Sequence, residues 1–376
     1  MDFSLSDEQK LLTDSVQRFV RQQYEFEKWR ALAKSEEGFS RENWAQMAEL
    51  GWFGISFPEE VGGLGGSPVD TMLMLEEMGK GNVLEPFVST VAVCGTLLAK
   101  AGSDAQKEEV LAGIIEGRHI VALAHAEAQA RYNLADVTTE AKADGDGFAI
   151  SGKKIVVFDA PAADKLVVLA RTAGGQRDED GLSLFLIDRD MDGVERRDYR
   201  TIDNRRASEI TFSGAKVGKD ALVGPKDGAL PFLEEAVDHG IAAVCAEAVG
   251  AMQHLQQQTV EYAKTRKQFG VPIGSFQVLQ HRMVDMMIHA EETKSLAMLA
   301  TLKLDADAQE RGRAASAAKA QLSKAGRYVG QQAVQIHGGM GMTDELDIGH
   351  YFKHLIALET RFGDGDHHLK RFGALS

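Results

Sequence analysis

Cysteine is scarce in this chain. Cys94 and Cys245 are the only two among 376 residues, and both sit in apolar helical surroundings. A pair of buried free thiols is the expected state, which suits a reducing compartment. Positive charge is short as well: 42 Lys and Arg stand against 56 Asp and Glu, for a net charge of −14. That balance argues against nucleic acid or an anionic membrane surface as a partner, but not against an anionic cofactor, which needs only a local basic pocket. No uncharged apolar run approaches the ~20 residues that span a bilayer, so no membrane span is expected. The first residues, Met-Asp-Phe-Ser-Leu-Ser-Asp-Glu, bring acid early with no apolar core behind it, against a signal peptide. A cytoplasmic protein is the expectation. What remains is an ordinary soluble composition, 44% apolar and 26% charged, in a chain long enough for two or three domains.

Three regions differ in pattern. Residues 1–118 read as helical. Ser6 and Gln9 form a candidate capping box ahead of Leu11, Leu12, Val16, Phe19 and Val20 at helical spacing, and Trp44, Met47 and Leu50 share one face of a second helix. Residues 119–224 carry short β-rich runs, such as Lys154-Ile-Val-Val-Phe158 and Leu182-Ser-Leu-Phe-Leu-Ile187. Turn chemistry separates them, notably Asp144-Gly-Asp-Gly147. Their spacing predicts a small antiparallel barrel or sandwich. Residues 225–376 return to long helical tracts, Leu230–Arg266, Phe276–Asp305 and Arg313–Ile336, predicting a four-helix bundle. The fold class expected is therefore multi-domain α+β.

One stretch interrupts the last region: Tyr262-Ala-Lys-Thr-Arg266-Lys-Gln268-Phe269-Gly270-Val-Pro272-Ile-Gly-Ser-Phe276-Gln277. Gly270 and Pro272 stop a helix here, so Arg266 and Gln268 stand at its end beside a turn that admits a ligand to the backbone. Arg clamps phosphate with paired hydrogen bonds, and Phe269 can cover an aromatic ring. On chemistry alone, a solvated Arg at a helix corner explains the stretch as well. The pattern Y-x-x-x-R-x-Q-F-G-x-P-I-x-x-F-Q, however, resembles the signature of the acyl-CoA dehydrogenase family of flavoproteins. Glu49-Leu50-Gly51, continuing to Gly62-Gly-Leu-Gly-Gly66, resembles that family's N-terminal domain, in a separate part of the chain. Gln335-Ile-His337-Gly338-Gly339-Met-Gly341 is similar to its Q-x-x-G-G-x-G. The resemblance implies FAD as cofactor. It also implies that Arg266, Gln268, Phe269, Phe276, Gln335, Gly338 and Gly339 contact the FAD of a neighbouring subunit in a homo- or hetero-oligomer. The substrate implied is an acyl-CoA, with electrons passing to an acceptor protein or quinone-linked carrier.

The implied reaction is α,β-dehydrogenation of the thioester, which needs a general base. The family carries Glu-Gly-Thr after a short helix. Here Asp364-Gly365-Asp366 stands in that place, so Asp364 is the candidate base, one methylene shorter than Glu. It can equally be an exposed loop acid without a chemical role. The adjacent His367 and His368 point to no metal. The middle region departs further. Ala124-His-Ala-Glu-Ala-Gln-Ala-Arg131 replaces T-E-P-x-x-G-S, and Lys154-Ile-Val156-Val157-Phe158 replaces K-x-W-I-T. The aromatic that shields the flavin ring and the hydroxyl beside it are thus missing. Segments serving a neighbour's FAD are kept, while those serving the chain's own ring are altered. The pattern is similar to the small subunits of heteromeric members of the family. Three readings stay open: a dehydrogenase subunit of a heteromer, a non-catalytic partner that completes another subunit's FAD site, and an oxidase that uses Asp364.

Overall fold

The computed structural model describes residues 4–376. The chain divides into two compact units, each assembled from segments distant in sequence. One contains the N-terminal segment up to Ala31, then Ser67–Val83 and Ile241–Ser376; the other contains Leu32–Gly66 and Leu84–Gly240.

The first unit is helical. Its opening helix, Asp7–Gln23, starts with the expected capping box: Ser6 Oγ accepts from the Gln9 amide at 3.2 Å, and Gln9 Oε1 accepts from the Ser6 amide at 3.1 Å. Val16 and Phe19 are buried, and the helix packs on Pro68–Lys80. Helix Pro68–Lys80 in turn crosses Leu230–Thr265 with almost no side-chain layer between them. A Cβ at Gly79 would lie 2.0 Å from the Glu247 carbonyl oxygen, and one at Gly250 would lie 1.9 Å from that of Glu76. Only glycine permits such an approach at these two positions. Glu247 itself forms a buried pair with His354, at 3.1 Å. The long Ala308–His337 helix packs against Gln277–Leu302, Ile348–Thr360 and Gly365–Ala374. Its buried face is built from small residues, including Ala314, Ala318, Ala325 and Gly330. Alanine favours the helix and lets neighbours come close.

The second unit holds one sheet of eight strands. They are β1 (Val121–Ala124), β2 (Glu140–Asp144), β3 (Gly147–Phe158), β4 (Lys165–Arg171), β5 (Leu182–Asp188), β6 (Val194–Arg200), β7 (Arg206–Val217) and β8 (Leu222–Val223). The order is β6-β7-β3-β2-β4-β5-β8, with β1 beside β4. The Asp144–Gly147 turn joins β2 to β3, as its residues predict. Two expectations change. No pairing among the described residues closes a barrel, and the sheet is mixed, since β1 and β2 both pair with β4 in parallel. The outer strand β6 explains the open edge: Glu195, Arg196, Arg197 and Asp198 make a charged margin that discourages further pairing. Beside the sheet, helix Arg41–Glu49 buries Trp44 against Phe53, with ring centroids 4.1 Å apart. Leu50, expected on the same buried face, is exposed at the helix end.

Candidate cofactor cleft and base loop

Helix Leu230–Thr265 ends in a hairpin rather than a plain stop. Lys267 pairs with Pro272 and Gln268 with Val271, leaving Phe269 and Gly270 as a two-residue tip. Both tip residues have positive φ, 56° and 82°, as such tight hairpins require. Gly270 adopts that backbone freely. Phe269 does so at roughly 1–2 kcal/mol, and its side chain is left 91% exposed. Its ring meets Phe276 edge-on, with centroids 6.1 Å apart.

The opposite wall is the end of helix Ala308–His337. Gly338 leaves the helix at φ 62°, and a short turn follows through Met342. Tyr262 holds the two walls together: its ring stacks on His337 at 4.3 Å, and its hydroxyl donates to the His337 carbonyl at 3.4 Å. Burial lowers the His337 pKa, so the imidazole is neutral. Between the walls lies a cleft of about 640 Å³. Arg266, Gln268, Phe269, Phe276, Gln335, Gly338 and Gly339, seven residues from segments some 70 positions apart, all line it. A Cβ at Gly338 or Gly339 would meet nothing, so their missing side chains widen the cleft. Arg282, which the motif did not point to, lines it too and donates to Gln332 Oε1 at 3.3 Å. The cleft thus has two guanidinium groups and no carboxylate among its lining residues, in a chain of net charge −14. An anionic cofactor with an aromatic ring system fits this donor set: guanidinium for phosphate, amide for polar edges, phenyl for the ring.

Asp364 lies away from that cleft. Thr360 ends one helix, a turn passes through Phe362 (φ 62°) and Gly363 (φ 123°), and Asp364 caps the helix Gly365–Ala374. Its Oδ1 accepts from the His367 amide at 2.9 Å. It opens on a second cleft, of about 540 Å³, with Lys324, Arg327, Tyr328 and Asp366. His367 is half-buried and His368 buried, on the first turn of this helix.

In the sheet unit, Val156 sits at a bulge in β3, where the register with β7 shifts between Lys154 and Val157, and Phe158 pairs with Ala207 just beyond it. Val156 has φ 49° and is 40% exposed, an unusual state for a β-branched residue. Beneath the bulge, Lys154 is fully buried and donates to Glu127 Oε1 at 2.7 Å and to the His125 carbonyl at 3.2 Å. Glu127 also accepts from the amides of Thr138 at 2.8 Å and Thr139 at 3.0 Å. Burial pushes the Glu127 carboxyl up, but the charge and hydrogen bond of Lys154 outweigh it and hold the group at about 2. Burial takes the Lys154 ammonium down to about 8 against the pull of Glu127. The pair pins loop 125–139 to the strand. Sequence reading passed over it, because a lysine among β-branched residues reads as a surface position.

Another cavity, of about 690 Å³, lies elsewhere in the helical unit, beside Tyr24, Trp29 and His254. Its polar groups are matched to one another: His254 to Asp347 at 2.6 Å, Lys80 to Glu77 at 2.6 Å, and the Trp29 indole to the Asn82 carbonyl at 2.9 Å. The residues that the sequence points to line the two smaller clefts instead.

The chain resembles known proteins along its whole length. Residues 6–118, 122–215 and 230–373 match the family models described as acyl-CoA dehydrogenase N-terminal, middle and C-terminal domains. The chain is 31% identical to the acyl-CoA dehydrogenase fadE12 of Mycobacterium bovis, over 92% of this chain and 90% of that one. Among solved structures, the ChsE4-ChsE5 complex from Mycobacterium tuberculosis superposes with a TM-score of 0.89 at 26% identity, covering 100% of this chain and 98% of that chain. The FAD complex of PigA does so with a TM-score of 0.92 at 26% identity, again covering 100% and 98%. Among the described residues no helix is long and apolar enough to cross a membrane. The chain belongs to the acyl-CoA dehydrogenase family, FAD-dependent oxidoreductases acting on the CH–CH bond of acyl-CoA.

Proposed function

We propose that this chain is one half of a heteromeric acyl-CoA dehydrogenase, that its hairpin cleft holds the adenosine pyrophosphate end of a neighbouring subunit's FAD, and that Asp364 is its base. The observation that carries the reading is the contrast within one chain. The cleft is complete, cationic and walled by an exposed phenyl ring on a strained tip. The β3 bulge, where the family has its ring-shielding Trp, presents only Val156. A two-fold assembly lets each chain receive what the other donates, so a chain that donates well and receives poorly gains from an unlike partner. A structural neighbour, the ChsE4-ChsE5 complex from Mycobacterium tuberculosis, supports this.

Bound in this cleft by Arg266, Gln268 and Gln335, FAD would supply the hydride acceptor for the β-hydrogen. The chain's own residues do the rest. Arg266 and Arg282 neutralise phosphate charge, Phe269 and Phe276 cover the ring system, and Gln268 and Gln335 fix its polar edges. Asp364 takes the α-proton at Oδ2, because Oδ1 is committed to the His367 amide. Electrons leave to an acceptor protein or quinone-linked carrier. The test is the visible absorption of the protein purified alone and with a family member that has Trp and Thr in its ring-side strand. Alone, the chain should carry well below one FAD and turn over no acyl-CoA; with the partner, one FAD per pair should be bound. Stoichiometric FAD and turnover in the isolated chain would refute the reading.

A second reading is favoured by the capping role of Asp364, which is reason enough for an acid there without chemistry. In that reading the partner supplies the base. Asn caps helices as well as Asp, so Asp364→Asn keeps the loop and removes only the proton acceptor. Unchanged turnover of the assembled enzyme would select the second reading.

A further inference from the structure

We infer that Lys319 is the positioning residue for the base: it fixes the turn that presents Asp364 by holding two of the turn's carbonyls from beneath. This rests on the reading of Asp364 as the base. Lys319 lies on helix Ala308–His337 and is completely buried. Its ammonium donates to the Glu359 carbonyl at 2.8 Å and to the Gly363 carbonyl at 2.6 Å. These two groups bracket the turn between helices Ile348–Thr360 and Gly365–Ala374. The second belongs to the peptide that leads directly into Asp364, so its orientation sets where the Asp364 carboxylate points.

The turn needs such a hold. Phe362 is non-glycine at φ 62° and Gly363 lies at φ 123°, conformations a free loop would leave. A third carbonyl, Phe362 O, accepts from His368 Nε2 at 3.0 Å. Burial keeps His368 neutral, and with that nitrogen donating, Nδ1 faces Ser316 Oγ at 3.4 Å. Ser316 and Lys319 are one helical turn apart, so a single helix face anchors the base loop twice. A methionine of similar length would fill the same space without desolvating a charge. The ammonium is therefore hard to explain as packing, and its bonds go to the base loop. Burial depresses its pKa to about 8, consistent with the dry surroundings.

The experiment is a double-mutant cycle in the flavin-loaded complex, with Lys319→Met, Asp364→Asn and both together. Lys319→Met should lower kcat about 100-fold, the scale of a 1 Å misplacement of a base, with FAD content and KM for acyl-CoA unchanged. The double variant should be no slower than Asp364→Asn alone, because both act through one group. Lys319→Gln, which keeps a donor for the carbonyls but is shorter, should give a kcat between those of Lys319→Met and the parent. In the full chain the His367 amide should exchange with solvent faster in Lys319→Met than in the parent, with the hairpin cleft unaffected. If Asp364→Asn leaves kcat intact, the base reading fails. If Asp364→Asn abolishes turnover while Lys319→Met does not slow it, the positioning inference alone is overturned. Additive losses also overturn it, since Lys319 would then act by another route. Should the methionine variant not fold, Lys319→Gln carries the test, requiring an intermediate kcat and faster His367 exchange; parental values in both overturn the inference.

Discussion

Phe269 at the hairpin tip and Val156 at the β3 bulge are both bulky residues in left-handed backbone, and their surroundings differ. Around Phe269 stand two arginines, two glutamines, a second phenylalanine and two glycines, all facing one cleft. Around Val156 the backbone is equally irregular, and a buried Lys154–Glu127 pair braces it from below, but the residue on top is a small aliphatic. Strained backbone persists only where the surrounding structure enforces it. At the hairpin both the enforcement and the chemical groups are present. At the bulge only the enforcement is present.

The largest test removes that brace. Lys154→Met leaves Glu127 buried without its cation and should destabilise the sheet unit by ~3–5 kcal/mol in denaturant unfolding. The same pair sets an acid limit. The Glu127 pKa is held at about 2, below its ordinary value of 4.5, so the unfolded chain binds the proton first. Stability from this pair is full above about pH 4.5 and is lost as pH falls toward 2, which a pH series of unfolding curves will detect. Next comes the cleft. Arg266→Ala should weaken flavin retention in the assembled enzyme by ~2–5 kcal/mol, and Arg266→Lys should restore only part of it, because one ammonium replaces a paired contact. Flavin retained in full by the alanine variant would break the comparison at its stronger end.

A smaller effect is expected from repair. Val156→Trp with Phe158→Thr returns an aromatic shield and a hydroxyl to a backbone already shaped for them. Flavin occupancy of the isolated chain should rise, by ~1–2 kcal/mol, or roughly ten-fold in affinity. No gain would mean that the bulge is not the ring-side wall. Smallest is Phe269→Gly, with effects of opposite sign. The isolated chain should gain about 1 kcal/mol at most in unfolding, since the left-handed strain is relieved, while flavin binding by the complex falls.

The parts of this architecture written in local chemistry were legible beforehand. Ser6 with Gln9, the Asp144–Gly147 turn and the Ala-rich tract of residues 313–336 each specify their element by short-range rules. The seven cleft residues were legible through resemblance, not through spacing alone. What escaped depends on partners distant in sequence. Strand β6 is missed because Val194-Glu-Arg-Arg-Asp198 is a charged edge and lacks an apolar face. The parallel partner of β1 depends on the path of the whole sheet. Lys154 and Lys319 look like surface lysines until the carboxylate and carbonyls that hold them are seen. Phe269 at positive φ is missed because its turn uses Phe-Gly where Asn-Gly or Asp-Gly is the usual signal.

The crossing of helices Pro68–Lys80 and Leu230–Thr265 behaves as a keyed joint. Gly79 admits the backbone of residue 247, and Gly250 admits that of residue 76, so each glycine is the slot for the other helix. Neither position can drift by a single substitution, because even one methyl group would drive two backbones apart. A saturation library at either site would return glycine alone. Both sites would fail in the same way, by separating the same two helices, whether or not cofactor is supplied.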